Sequence, residues 1–202
     1  ADVGTHTIVV TCTDGSSASV SDSYVLTVVN TNDAPTVANA ISDATTAEDA
    51  AYSLDISSVF ADVDAGDTLT YAIATGPSSL SISSGTVTGT PTNDDVGANT
   101  IVISATDGTA SVTASYVLTV TNTNDAPTIT STADTTAEED EAYSYTTTAS
   151  DVDAGNTVTL TCTTVPSWLS CTAGALTGTP SNSDVGSHAV VITATDVAGA
   201  PA

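Results

Sequence analysis

The sequence predicts an all-β protein, built as tandem antiparallel β-sandwiches of roughly 90 residues each. Composition is the first observation behind this. Thr, Ser, Val and Ala dominate, aromatic residues make up only 4%, and apolar residues alternate with hydroxyl residues over long runs. Alternation with period two in β-branched residues suits half-buried strands rather than helices. Punctuation is the second: groups such as Asp107-Gly108 and Gly89-Thr90-Pro91 fall between the alternating runs at strand-length intervals, as in sandwiches. Repetition is the third. Asp62-Val63-Asp64-Ala65-Gly66 returns as Asp151-Val152-Asp153-Ala154-Gly155, and Thr88-Gly89-Thr90-Pro91 as Thr177-Gly178-Thr179-Pro180, both at an offset of 89 residues.

In chain order, residues 1–35 are expected to be the C-terminal part of one repeat plus a linker, with Thr7–Cys12 and Ser23–Val29 as its two strands. Residues 36–127 are expected to be a complete repeat plus linker. Its strands are Tyr52–Ile56, Leu69–Ala74, a short inward pair at Leu80 and Ile82, Thr86–Val87, and a hairpin of Thr100–Ala105 with Ser111–Val120. Asp107-Gly108 is a strong turn signal for that hairpin. Residues 128–202 are expected to be a third repeat without its last strand, so that the sequence resembles an excerpt from a longer array. The linkers are the near-identical Asn30-Thr31-Asn32-Asp33-Ala34-Pro35 and Asn122-Thr123-Asn124-Asp125-Ala126-Pro127. Proline there fixes φ and removes a ladder donor, so each linker is extended and stiff.

Charge excludes several classes of function. There is no Lys or Arg, 24 residues are acidic, and the formal net charge is −24. Nucleic acid binding needs a basic footprint and is excluded. Adsorption to anionic lipid is excluded by the same sign argument. No apolar run approaches the length of a membrane span, so the chain is not expected to be membrane-embedded. A surface this acidic suits salty surroundings, where counterions screen the repulsion.

Several motifs resemble cadherin repeats. Ala105-Thr106-Asp107-Gly108, Tyr116-Val117-Leu118-Thr119-Val120 and the linker at 122–127 together look like the end of such a repeat and its calcium-binding linker. Asp62-Val63-Asp64 before Leu69-Thr70-Tyr71-Ala72-Ile73 looks like the cadherin Asp-x-Asp loop and the strand that follows it. Pro166-Ser167-Trp168-Leu169-Ser170 through Thr177-Gly178-Thr179-Pro180 to Asp184-Val185-Gly186 is similar to the "putative Ig" and dystroglycan-type cadherin-like repeats of bacterial surface proteins. Two features depart from the family pattern: Asn30 and Asn122 open the linkers in place of Asp, and Asn93-Asp94-Asp95 stands where cadherins have Asp-Arg-Glu.

Carried over position by position, the resemblance implies a metal cluster at each joint. At the second joint it collects Glu48, Asp94 and Asp95 with Asn122, Asn124 and Asp125 of the linker, and Asp151, Asp153, Asn156 and Asp196 of the next repeat. At the first it collects Asp2, Asn30, Asn32, Asp33, Asp62, Asp64, Asp67 and Asp107. Oxygen ligands without His or Cys suit Ca²⁺, which takes six to eight oxygens in flexible geometry. Asp and Asn also favour turns, so each loop taken alone could be a turn former. The charge count weighs against turns alone, because converging carboxylates have no basic side chain to offset them.

Catalysis has little support. His6 and His188 share a repeat position with Asn99, which marks them as solvent-facing residues near strand starts, and no nucleophile elbow is present. Cys162 and Cys171 align with Ile73 and Ile82. Two inward positions that change to Cys together point to a disulfide, with two independent small core residues as the alternative. Cys12 has no evident partner and is expected to be a buried free thiol. The expected function is therefore a non-enzymatic, calcium-rigidified structural or adhesive module on the cell surface. Its expected partners are neighbouring repeats, or further copies joined head-to-tail in a fibre, with a surface protein or glycan as a possible ligand. The alternative is a carbohydrate- or protein-binding accessory module of a secreted enzyme.

Overall fold

The computed structural model describes residues 2–197. Eighteen strands follow in order among them: β1 Gly4–Thr13, β2 Ser19–Val28, β3 Thr36–Val37, β4 Ala44–Ala47, β5 Tyr52–Asp55, β6 Phe60–Ala61, β7 Thr70–Thr75, β8 Leu80–Ser83, β9 Thr86–Gly89, β10 Gly97–Thr106, β11 Ser111–Thr121, β12 Thr128–Ile129, β13 Tyr143–Thr146, β14 Ala149–Ser150, β15 Thr159–Thr164, β16 Leu169–Thr172, β17 Ala175–Gly178 and β18 Val191–Thr195. The helical pieces are single 3-10 turns at Asn93–Asp95 and Asn182–Asp184. The chain is all-β, as its alternating patterns predict. It forms two compact units, one of residues 1–45, 51–90 and 98–119, the other of 46–50, 91–97 and 120–202.

The first unit holds a sandwich. One layer is the four-stranded sheet β4-β11-β10-β7, and the opposing strands run β5-β9-β8. Alternate residues point inward, so Ile101, Ile103 and Ala105 of β10, Tyr116 and Leu118 of β11, and Tyr52, Leu80 and Val87 are all buried. The Tyr52 hydroxyl donates to Tyr116 Oη at 3.2 Å, which satisfies the polar ends of two buried rings. Burial raises the Tyr116 hydroxyl's pKa well above its usual value. Gly89 is not a turn residue. It closes β9, paired with both Tyr52 and Leu80, and a Cβ there would collide with the Ser79 carbonyl oxygen.

The β1–β2 hairpin, also in the first unit, pairs in continuous register from Gly4↔Val28 to Thr13↔Ser19. Among the described residues no second sheet covers it, and its side chains are almost all exposed. Cys12 is among them. Its thiol is exposed rather than buried as expected, because among the described residues no strand packs on the face of β1 that carries it.

In the second unit the strands run β13-β17-β16, β15-β18 and β12-β14. Its apolar core is smaller, with Leu169, Leu176 and Ala194 buried. Cys162 of β15 and Cys171 of β16 are joined as a disulfide with their Cα atoms 6.3 Å apart. The bond thus ties a strand of one sheet to a strand of the other, at positions where the preceding repeat carries Ile73 and Ile82.

Candidate metal centre

Within the second unit, Glu48, Asp49 and Asp125 bring a carboxylate oxygen each to within 4.8 Å of one another. Glu48 is only 2% exposed. Its Oε1 accepts from the Thr123 backbone N–H at 2.7 Å, whereas its Oε2 is buried with no hydrogen-bond partner. Asp49 owes its place to the backbone: it sits in the left-handed region at φ 58°, and its N–H donates to the Pro91 carbonyl at 2.8 Å. Asp tolerates that conformation better than most residues.

The Asp-x-Asp loop stands beside this group. Buried Asp153 accepts from the Asp125 backbone N–H at 2.9 Å through Oδ2 and from Asn93 Nδ2 at 3.0 Å through Oδ1. Asp151 Oδ1 receives the Asp153 N–H at 2.8 Å, while Asp151 Oδ2 is buried without a partner. Asn124 donates to Asp196 Oδ2, and Asn156 Nδ2 lies 3.3 Å from Asp153 Oδ2. The Asp125 carboxyl's pKa is raised, first by desolvation and then by the charges of Asp153, Asp49 and Asp151.

The first unit repeats the pattern. The Asp33 N–H donates to Asp64 Oδ2 at 2.7 Å, the Asp64 N–H to Asp62 Oδ1 at 2.9 Å, and Asn32 Nδ2 to Asp107 Oδ2 at 3.1 Å. Asp62, Asp64 and Asp67 form a second group of carboxylates within 4.8 Å, and Asp62 Oδ2 is again buried without a partner. Desolvation raises the Asp67 carboxyl's pKa, with Asp62, Asp64 and Asp107 adding to it. Asp107 titrates low instead, because the Ala110 and Thr109 backbone N–H groups hold its charged form.

Other residues named from the sequence lie differently. Asp95 turns its carboxylate back to the Thr92 N–H at 2.9 Å, closing the cap of its 3-10 turn. Asp94, Asn30, Asn122 and Asp2 are exposed. Both histidines are exposed too, each with Nε2 at 2.6 Å from a backbone oxygen, of Asp2 and Asp184 respectively. Asp49 was missed in the sequence. Its adjacency to Glu48 was visible, but the left-handed turn that aims it at the group was not.

The two carboxylate groups suit a divalent cation. Each includes a buried carboxylate oxygen, of Glu48 and of Asp62, without a hydrogen-bond partner among the described residues, and a buried charge without a counter-charge is costly. The chain has no Lys or Arg to supply one. The ligand set is all oxygen, which is the preference of Ca²⁺ rather than of Zn²⁺.

Comparison with known proteins places the chain. Its sequence matches the family described as "Putative Ig domain" over residues 34–121 and again over 126–202. No curated protein matches it. Among solved structures it is similar to an endo-fucoidan hydrolase of glycoside hydrolase family 107, at 25% identity and a TM-score of 0.43. That match covers 100% of this chain and 33% of the hydrolase, so the chain spans about a third of its length. It is also similar to extracellular cadherin domains 1–4 of protocadherin gamma B7, at 21% identity and a TM-score of 0.43 over 98% of this chain and 55% of that one. Mouse protocadherin-24 EC1-3 matches at 16% identity and a TM-score of 0.44, over 100% and 78% of the two chains. With two successive matches spanning most of its length, the chain belongs to the "Putative Ig domain" family, as tandem repeats.

Proposed function

We propose that this chain is a non-catalytic, extracellular structural and adhesive repeat module whose acidic loops bind Ca²⁺. The observation that carries this is Glu48 Oε2, a buried carboxylate oxygen with no partner, beside Asp49 and Asp125. Glu48, Asp49, Asp125, Asp151 and Asp153 would hold the ion in the second unit, and Asp62, Asp64 and Asp67 in the first. In the second unit, segments 46–50 and 91–97 come from the preceding repeat and meet the linker and the Asp151–Asn156 loop. An ion shared among those segments would stiffen the linker, since bending it would break metal–oxygen contacts. A glycan-binding accessory module would instead need aromatic rings free to stack. Trp168 packs edge-on against Tyr143 and His188, with centroids 6.3 and 6.2 Å away, while Tyr24 stands exposed by itself.

Thermal melts in calcium and in chelator, with calorimetric titration, test the proposal. Saturation at about 100 times the dissociation constant adds roughly 2.7 kcal/mol per ion, so the melting temperature should rise by roughly 5 °C or more. Asp125→Ala should remove part of that rise while each sandwich still folds. Identical melts of the parent chain in calcium and chelator would sink the metal reading.

A further inference from the structure

We propose that Asn93 and Asp153 form a latch that holds the joint of the second unit together without any ion, with Asn93 as its positioning residue. The latch is made of amide donors on a carboxylate, so it does not rest on the calcium reading.

Asp153 is only 6% exposed, and donors from the protein occupy both of its oxygens. Asn93 Nδ2 donates to Oδ1 at 3.0 Å, and the Asp125 backbone N–H donates to Oδ2 at 2.9 Å. Asn156 Nδ2 stands 3.3 Å from Oδ2 as a third donor. The three come from different stretches of the unit: Asn93 from segment 91–97, Asp125 from the linker, and Asn156 from the loop of Asp153 itself. Asn93 and Asp153 are 60 residues apart in the chain. Bonds from N–H groups to an ionised carboxylate are among the stronger hydrogen bonds, and they need no counter-ion nearby. One buried carboxylate therefore pins three segments at once.

Neighbouring carboxylates are built differently. Glu48 Oε2 and Asp151 Oδ2 are buried with no hydrogen-bond partner among the described residues. The joint thus divides its acids between two duties: amide donors satisfy Asp153, while Glu48 and Asp151 stay open to a cation. Residue type at position 93 decides the first duty. An amide there can donate to Asp153, whereas an acid would set two carboxylates face to face at a distance where like charges repel. Position 156 acts the same way, and the first unit shows the contrast. Asp64, the counterpart of Asp153, takes the Asp33 N–H at 2.7 Å, but Asp67 stands where the second unit has Asn156. Its carboxylate joins those of Asp62 and Asp64 within 4.8 Å, so a donor has been exchanged for a further charge.

Amide hydrogen exchange of the whole chain in chelator, followed by NMR, is the test, because the Asp125 N–H reports on its own bond to Asp153. In the parent that amide should stay protected without calcium. Asn93→Asp and Asp153→Asn should each cut its protection by about tenfold or more, since the first opposes two carboxylates and the second opposes two donors. The double exchange of Asn93→Asp with Asp153→Asn turns the bond round, donor for acceptor, and should restore most of the protection. A residue that merely fills space would show no such rescue. Amides of the β13–β17 ladder should stay protected in all three variants. An Asp125 amide that exchanges freely in the parent once calcium is removed overturns the proposal. So do protection untouched by Asn93→Asp, a double exchange no better than the single ones, and loss of the β13–β17 ladder in Asn93→Asp, which would mark general unfolding. Melts unchanged by calcium would sink the metal reading alone, because every measurement here is made in chelator.

Discussion

The hairpins β1–β2 and β10–β11 carry related residues, most closely in β2 and β11, and differ in burial. Both turn on an Asp carboxylate: Asp14 accepts from the Ser16 and Ala18 backbone N–H groups at 2.9 Å, and Asp107 from Thr109 and Ala110 at 2.6 and 2.7 Å. Both pair as antiparallel ladders. Yet Leu118 is fully buried and Leu26 is 48% exposed. Local sequence therefore makes the hairpin, and the opposing strands β5, β8 and β9 make its core. A strand's alternation declares which face wants burial but does not supply what covers it.

The sharpest way to test this contrast is to truncate the same side chain in both places. Leu118→Ala should destabilise its sandwich by about 3 kcal/mol, whereas Leu26→Ala, with little packing to lose, should be near neutral in dilute monomer. Urea unfolding of the two variants checks it, and equal losses would break the comparison.

The second unit has fewer buried apolar residues and carries the Cys162–Cys171 disulfide. Cys162→Ser with Cys171→Ser should cost it about 2–3 kcal/mol, and reductant should lower its melting transition but not that of the repeat carrying Ile73 and Ile82. A transition unmoved by reductant would show that packing alone suffices there.

Tyrosines give the smallest effect. Tyr116→Phe should cost about 1 kcal/mol through the bond from Tyr52, and Tyr24→Phe almost nothing. The Tyr116 pKa is raised on folding by burial, so the folded state favours its neutral form. That stability is fully present below the unfolded value near 10 and is lost as pH rises above it. Alkaline unfolding of the parent should accordingly be steeper than that of Tyr116→Phe, and matching pH profiles would count against it.

Much of the candidate site could be read in the sequence, because its pieces are local. Asp62, Asp64, Asp151 and Asp153 sit in short loops whose backbone N–H groups bond the neighbouring carboxylate, and the resemblance to cadherin repeats singles out these same loops. The carboxylate of Asp95 also caps its own 3-10 turn, which its position three residues after Thr92 allows. Asp49 was overlooked because its aim comes from a left-handed φ and a bond to Pro91, 42 residues along the chain. Gly89 read as a turn, but the approach of the Ser79 carbonyl is what requires it.

By itself the sequence determined the period-two strands, the repeat length, the turns and the joint loops, since all of these follow from contacts within a few residues. Only the tertiary structure decided which carboxylates share one site and which of the alternating residues of β10 and β11 are fully buried. Those depend on segments far apart in the chain, and burial and charge repulsion act on whatever the fold brings near.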